Sequence, residues 1–388
     1  MNEPQPPTSG MSPGTPPAAS SAPPPAAQSA PPPAARPARS SSWGFTLVLT
    51  LLLVAAAGGV YAYFRITNPP PPEPDKLASL RGYIANLGRT QTLAADYTDA
   101  NGDLVADPPT DPAKFLRPEA VKELAFTVVG SEDPEKAQIQ WKDFMLALEK
   151  ATGRPVKYLA EVASVEDQVR AVREGRLHVT AFNTGQVSTA VNTAGFVPLF
   201  CIADNDGRYA YEMEILVRRD SPVQTPADLR GKTIGLTSLS SNSGGKAPLV
   251  VLKEKFGLLP GRDYDYRFTG DHVRAVKELS AGQYDAVCVA NDQLARALAV
   301  GVVKPEQVRS IYKSETFPPL CFGVPHNLPP DIVERVKAAF RDFRFEGNSV
   351  GELYKSQGKN RFAPVDYARD WKLIREVDQA LSRLLETD

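Results

Sequence analysis

Beyond Glu119 the chain alternates short apolar or β-branched runs with stretches whose apolar residues recur every three to four positions. The short runs predict strands at 124–130, 155–160, 179–183, 196–202, 213–219, 233–238, 265–270, 285–291, 308–314 and 320–325. The periodic stretches predict helices over 135–151, 165–174, 246–256, 271–281, 330–345 and 366–385. Strand alternating with helix argues for an α/β fold with largely parallel sheets covered on both faces. No internal repeat interrupts this order.

The pattern upstream is different. Residues 1–42 are dominated by Pro, Ala and Ser, a composition that cannot bury enough surface to offset ordering entropy and is expected to be disordered. From Trp43 to Phe64 no residue is charged, and aromatic side chains sit at both ends. At about 1.5 Å per residue such a run crosses a hydrocarbon core of about 30 Å, so a transmembrane helix is expected. Arg36 and Arg39 before it favour a cytoplasmic N-terminus and a folded part outside the cytoplasm. A cleaved signal peptide is the competing reading, since Ala55-Ala56-Ala57 offers small residues; both readings imply export. The Pro-rich stretch after Asn68 and an acidic loop at 96–109 make 65–121 a linker. The loop does not fit a calcium-binding EF-hand with Gly102 as the turn glycine, because Tyr97 and Pro108 then fall on ligand positions.

What remains is roughly 270 residues, enough for two lobes of ordinary domain size. A formal charge of −1, with basic residues dispersed, gives no nucleic-acid footprint. Cys201, Cys288 and Cys321 form no CxxC and read as small buried hydrophobes, not as a disulfide framework or zinc site. His178, His272 and His326 are equally scattered, so no metal or other cofactor is expected.

In open α/β sheets ligands bind beyond the carboxyl ends of the strands, where helix N-termini converge. At those junctions this chain carries Ser131, Asn183 with Thr184, the loop Ser240 to Gly245, His272, and Asn291 with Asp292. Small hydroxyl and amide groups recur there. In the Ser240–Gly245 loop, Ser241, Ser243 and two glycines that allow close backbone approach suit an anion at the positive end of a helix. The plain alternative is an N-cap with a flexible turn. The loop fails as a Walker A motif; Ser243 and Lys246 have the SxxK spacing of serine acyltransferases, but no KTG box follows.

The strings FTVVGSEDPEKAQIQWKDFMLALEK, SPVQTPADLRGKTIGLTSLSSNSGG and FTGDHVRAVKELSAGQYDAVCVAND carry a resemblance to the phosphate/phosphite/phosphonate-binding proteins of ABC importers, within the type 2 periplasmic-binding superfamily. The resemblance covers 122 to about 330. It implies two lobes joined by crossing strands: 122–208 plus 307–388 forming lobe 1, and 209–306 forming lobe 2. It also implies that Ser241, Asn242, Ser243 and His272 meet the oxygens of a phosphate or phosphonate, with Tyr211 closing over it. Asn242 stands where the family has Thr, which leaves the ligand open. The implied function is capture of a small oxyanion for an ABC permease, with no catalysis. Two alternatives stay open: a membrane-tethered sensor or scaffold on the same fold, and a serine-dependent acyl-transfer enzyme using Ser243 and Lys246.

Overall fold

The computed structural model describes residues 47–48, 50–56, 58–59, 77–128 and 134–386. The chain divides into two compact units, Met1–Glu73 and Pro74–Asp388. In the first, the described residues are helical and their leucines exposed. No helix among the described residues is long and apolar enough to cross a membrane. The expected tail at 1–42, and much of the expected anchor at 43–64, lie outside the described residues.

The second unit is built on two sheets. The first contains β1 (Leu124–Val128), β2 (Val156–Tyr158), β3 (Val179–Phe182), β4 (Phe196–Ala203), β10 (Cys321–Pro325) and β11 (Arg361–Pro364), in the order β11-β4-β10-β3-β1-β2. The second contains β5 (Tyr211–Arg218), β6 (Thr233–Leu236), β7 (Asp265–Phe268), β8 (Ala286–Ala290) and β9 (Val308–Phe317), in the order β7-β6-β8-β5-β9. The chain passes between sheets after β4 and again after β9. Strands such as β3 and β8 are buried at every position, and this is why they read as unbroken apolar runs.

The expectation of largely parallel sheets needs correction. β1, β2 and β3 pair in parallel, as do β6, β7 and β8, but β10 is antiparallel to both β3 and β4, β11 to β4, and β5 to both β8 and β9. For β5 and β10 the cause is the two crossings. β5 and β10 enter their sheets directly from the other lobe, without a crossover helix to turn them round, and so run against their neighbours.

The lobe boundaries also move. β9 lies in the second sheet, whereas the segment from 307 was expected in lobe 1. The C-terminal helix Lys372–Ser382 packs against the helix Ala247–Phe256, which follows β6 of the second sheet, and against a helix at Ala78–Arg89. That last helix corrects the reading of 65–121 as a linker. It buries Leu80 and Leu87, and Thr90 O accepts from Asn192 Nδ2 at 2.8 Å. The acidic loop after it is knit by its own side chains: Asp99 accepts from the N–H groups of Asp103 and Leu104, and Asp107 from Ala100. Among the described residues no group of His, Cys, Asp and Glu is arranged to hold a metal.

Packing centres in the first lobe on aromatic side chains. Phe144 meets Phe340 at 4.7 Å and Phe362 at 5.0 Å between ring centroids, which ties the helix Pro134–Thr152 to the helix Pro330–Asp342 and to edge strand β11. Beside β1, the fully enclosed His178 accepts the Ala125 N–H at Nδ1 (2.9 Å), while Nε2 faces Gly175 O (3.1 Å), so the neutral ring carries its proton on Nε2. Burial pushes its pKa down to about 4, against about 6.5 unfolded. The unfolded chain therefore binds the proton first as pH falls, and stability contributed by the neutral ring is lost on going from about pH 6.5 toward 4. Denaturant midpoints should show a loss of about 2 kcal/mol by pH 5 from this residue. The slope should fall by about half in His178→Asn, the remainder belonging to His272, whose pKa burial depresses equally, and an unchanged slope in that variant would assign it elsewhere.

Candidate functional site

The cleft-side ends of β3, β6 and β8 bring the polar junctions together. After β6 the chain does not enter a helix directly. Ser241 caps a wide five-residue turn, Asn242–Lys246, by accepting the Gly244 N–H at 3.0 Å. A Cβ on Gly244 would run into the Thr237 side chain, and one on Gly245 into the Ser238 carbonyl. Only glycine lets this turn lie so close to its own strand. The helix Ala247–Phe256 then begins, directing its positive end at the turn.

His272 opens the helix His272–Ser280, whose cap Asp271 accepts from Arg274 N–H. Its Nδ1 accepts the Ala290 N–H at 3.2 Å, so Nε2 carries the proton and lies 3.4 Å from Ser241 Oγ. Removal from water pushes its pKa down to about 4, and the ring is a neutral donor at physiological pH. Ser241 Oγ, receiving two N–H groups, has its own hydrogen left to donate.

Tyr211, at the start of β5, is buried, and its hydroxyl adjoins the side chains of Thr184, Asn242 and Ser243. Asn242 Nδ2 donates to it at 3.4 Å, and Asn242 Oδ1 has no hydrogen-bond partner. Thr184 Oγ1 donates to Pro318 O in the second crossing at 2.8 Å, and Trp371 Nε1 donates to the Thr184 carbonyl at 3.2 Å. Asp292 has one buried, unpartnered carboxylate oxygen, and burial raises its pKa.

Of the ten residues singled out in the sequence, Thr184, Tyr211, Asn242 and Ser243 form one cluster, with Ser241 and His272 paired beside it. Asn291 Oδ1 accepts the Glu212 N–H at 3.1 Å and so also serves strand β5. Asn183 is exposed. Ser131 lies outside the described residues.

The lobes touch at this site. A Cβ on Gly185, after β3, would lie 2.5 Å from Ser240 O and 2.8 Å from Asn242 N, across the cleft. Beneath the turn, Lys246 is fully buried; its ammonium donates to Gly185 O of the first lobe and, at 2.6 Å, to Asp378 of the C-terminal helix. Tyr83 of the helix Ala78–Arg89 lies over the same ammonium, 6.0 Å from ring centroid to Nζ. Burial alone would lower the Lys246 pKa, but Asp378 and Tyr83 hold it above the ordinary lysine range. A general base needs the reverse, so Lys246 is no activator for Ser243, and the acyl-transfer reading loses its base. Sequence spacing gave no hint of this use of Lys246. Two surface grooves, of 600 and 360 Å³, lie away from the site, beside β11 and beside the C-terminal helix.

Residues 126–371 match the family described as ABC transporter, phosphonate, periplasmic substrate-binding protein. Among curated proteins, the phosphate-import protein PhnD of Mycolicibacterium smegmatis is 22% identical over 66% of this chain and 84% of its own length. The phosphonates-binding periplasmic protein of Escherichia coli is 21% identical over 66% of this chain and 75% of its own. Among solved structures, PhnD1 of Prochlorococcus marinus in complex with methylphosphonate superposes with a TM-score of 0.57 at 14% identity, covering 68% of this chain and 99% of that one. A phosphonate transporter binding component of Pseudomonas aeruginosa gives 0.57 at 16% identity, covering 68% and 87%. With the two-sheet fold, the two crossings and this match, the chain belongs to the periplasmic substrate-binding proteins of phosphonate ABC transporters.

Proposed function

We propose that this chain captures a small phosphate-type oxyanion between its lobes and delivers it to an ABC permease, while an N-terminal helix at 43–64 holds it to the membrane on the extracytoplasmic side. The observation that carries the ligand class is the Ser241–Ser243 turn beside a neutral His272 whose proton sits on Nε2. It offers hydroxyl and N–H donors at the starts of two helices, where an anion gains from the dipoles. The only cation built into the turn, Lys246, is spent on Asp378. Hydrogen bonds rather than a salt bridge therefore hold the ligand.

Calorimetry with phosphate, phosphite, methylphosphonate and sulfate tests this. Ser241→Ala and Ser243→Ala should each weaken binding of the preferred anion by about 1 to 3 kcal/mol, as for a hydrogen bond to a charged group, with an unchanged denaturation midpoint in Ser243→Ala and a loss of about 1 kcal/mol of stability in Ser241→Ala, which also gives up its cap on the Gly244 N–H. Wild-type affinity in both variants would mean the ligand sits elsewhere.

The anchor has its own test. The uncharged run from Trp43 to Phe64 should keep the full chain in the membrane fraction after carbonate washing, with only the part after it open to external protease. A soluble mature chain beginning near Gly58 would point to a signal peptide instead. A sensory role is the second reading, favoured by one feature. The helix Ala78–Arg89, just after the Pro-rich stretch, touches both lobes through Tyr83, which meets Gln186 of the first at 3.4 Å and Lys246 of the second.

A further inference from the structure

Two cysteines far apart in sequence are brought together in the first sheet. Cys201 and Cys321 stand directly opposite each other across the antiparallel pair β4–β10, and both are fully buried with free thiols. Opposed residues of an antiparallel pair share one face, with Cα atoms about 4.5 or 5.5 Å apart. Both separations fall within the range of about 4.4–6.8 Å that a disulfide spans. The Cys321 thiol is within hydrogen-bonding reach of Cys201, whose own thiol is pushed well up, first by burial and then by this neighbour. Cys288 sits in β8 of the second sheet opposite Ile215, so no third thiol competes for either partner.

We propose that Cys201 and Cys321 close into a cross-strand disulfide when the exported chain folds in an oxidising compartment. The proposal rests on the extracytoplasmic setting of the family and not on any ligand. The oxidant is a disulfide donor. One cysteine thiolate attacks it to give a mixed disulfide, and the second displaces the donor sulfur. The new S–S bond forms as the donor's breaks, and the electron pair and two protons of the cysteines leave with the donor as two thiols. Because both sulfurs end fully buried, the exchange belongs to folding, before the sheet closes over them.

The bond has a mechanical consequence. β4 leads into the first crossing and β10 follows the second, so a link between them ties the two interlobe connections at their first-lobe ends. Bending between the lobes then falls on 204–210, on 318–320 and on the passage after β11 that leads to the C-terminal helix.

The test uses the full exported chain, acid-quenched in cells, then denatured, alkylated with iodoacetamide and digested. Expected are one alkylated cysteine, Cys288, a linked peptide pair containing Cys201 and Cys321, and an intact mass lighter by two hydrogens. That mass difference should persist in Cys288→Ala and vanish in Cys321→Ala. Reduction should lower the thermal midpoint of the wild type but not of Cys321→Ala. Three alkylated thiols, or a link through Cys288, would overturn the proposal. The readout is independent of binding, so a chain that carries the bond but takes up no oxyanion would refute the proposed function alone.

Discussion

Exchanging Lys246 for Met should destabilise the folded unit by about 3 to 5 kcal/mol, the usual consequence of leaving a buried charge without its partner. The mutation strands Asp378, whose side chain is 5% exposed, and removes the donor to the Gly185 carbonyl. The double variant Lys246→Met, Asp378→Leu should recover most of that loss, because an apolar pair of similar volume carries no desolvation cost. Chemical denaturation of the three proteins decides the matter. A Lys246→Met chain as stable as the wild type would show that the ion pair is not held as buried as it stands here. Because Lys246 belongs to the second lobe and Gly185 to the first, the single variant should also open more readily and bind more weakly than its own turn residues require.

That ion pair marks where the sequence stops being legible. Its partners are 132 residues apart, and no local pattern links them. Thr184 and Pro318, 134 apart, are equally silent. Strands β3 and β8 could be read because burial on both faces demands an unbroken apolar run. Strand β11, RFAP, could not: it is short, proline-ended and paired on one edge only, with β4. The helix Val187–Ala194 is made of small residues buried on nearly all sides and so shows no amphipathic stripe. At the site, the turn after β6 and His272 were visible because glycine and hydroxyl spacing is local. The part Asn291 plays in β5 was not legible, because the Glu212 N–H that its Oδ1 accepts is 79 residues away.

Gly185 gives the sharpest test of lobe closure. Its neighbours across the cleft, Ser240 O and Asn242 N, are backbone atoms of the turn and cannot rotate away from an added side chain. In Gly185→Val the overlap would exist only when the lobes are shut, since Gly185 follows β3 and the turn follows β6. Opening relieves it at no cost to either sheet. Overpacking of this kind costs about 1 to 3 kcal/mol, and contact with two fixed atoms places valine near the upper end. Charged to the closed state alone, that penalty reduces the binding-competent population and so weakens apparent affinity by roughly 100-fold. The denaturation midpoint should stay near that of the wild type, apart from the interlobe contacts of Lys246. Small-angle scattering at a ligand concentration that saturates the wild type but not the variant should show a larger radius of gyration for the variant, and raising the ligand further should close the difference. If the valine variant binds the same anion as tightly as the wild type, the ligand-bound lobes do not meet at Gly185, and the turn at Ser241–Ser243 must take its ligand from a more open cleft.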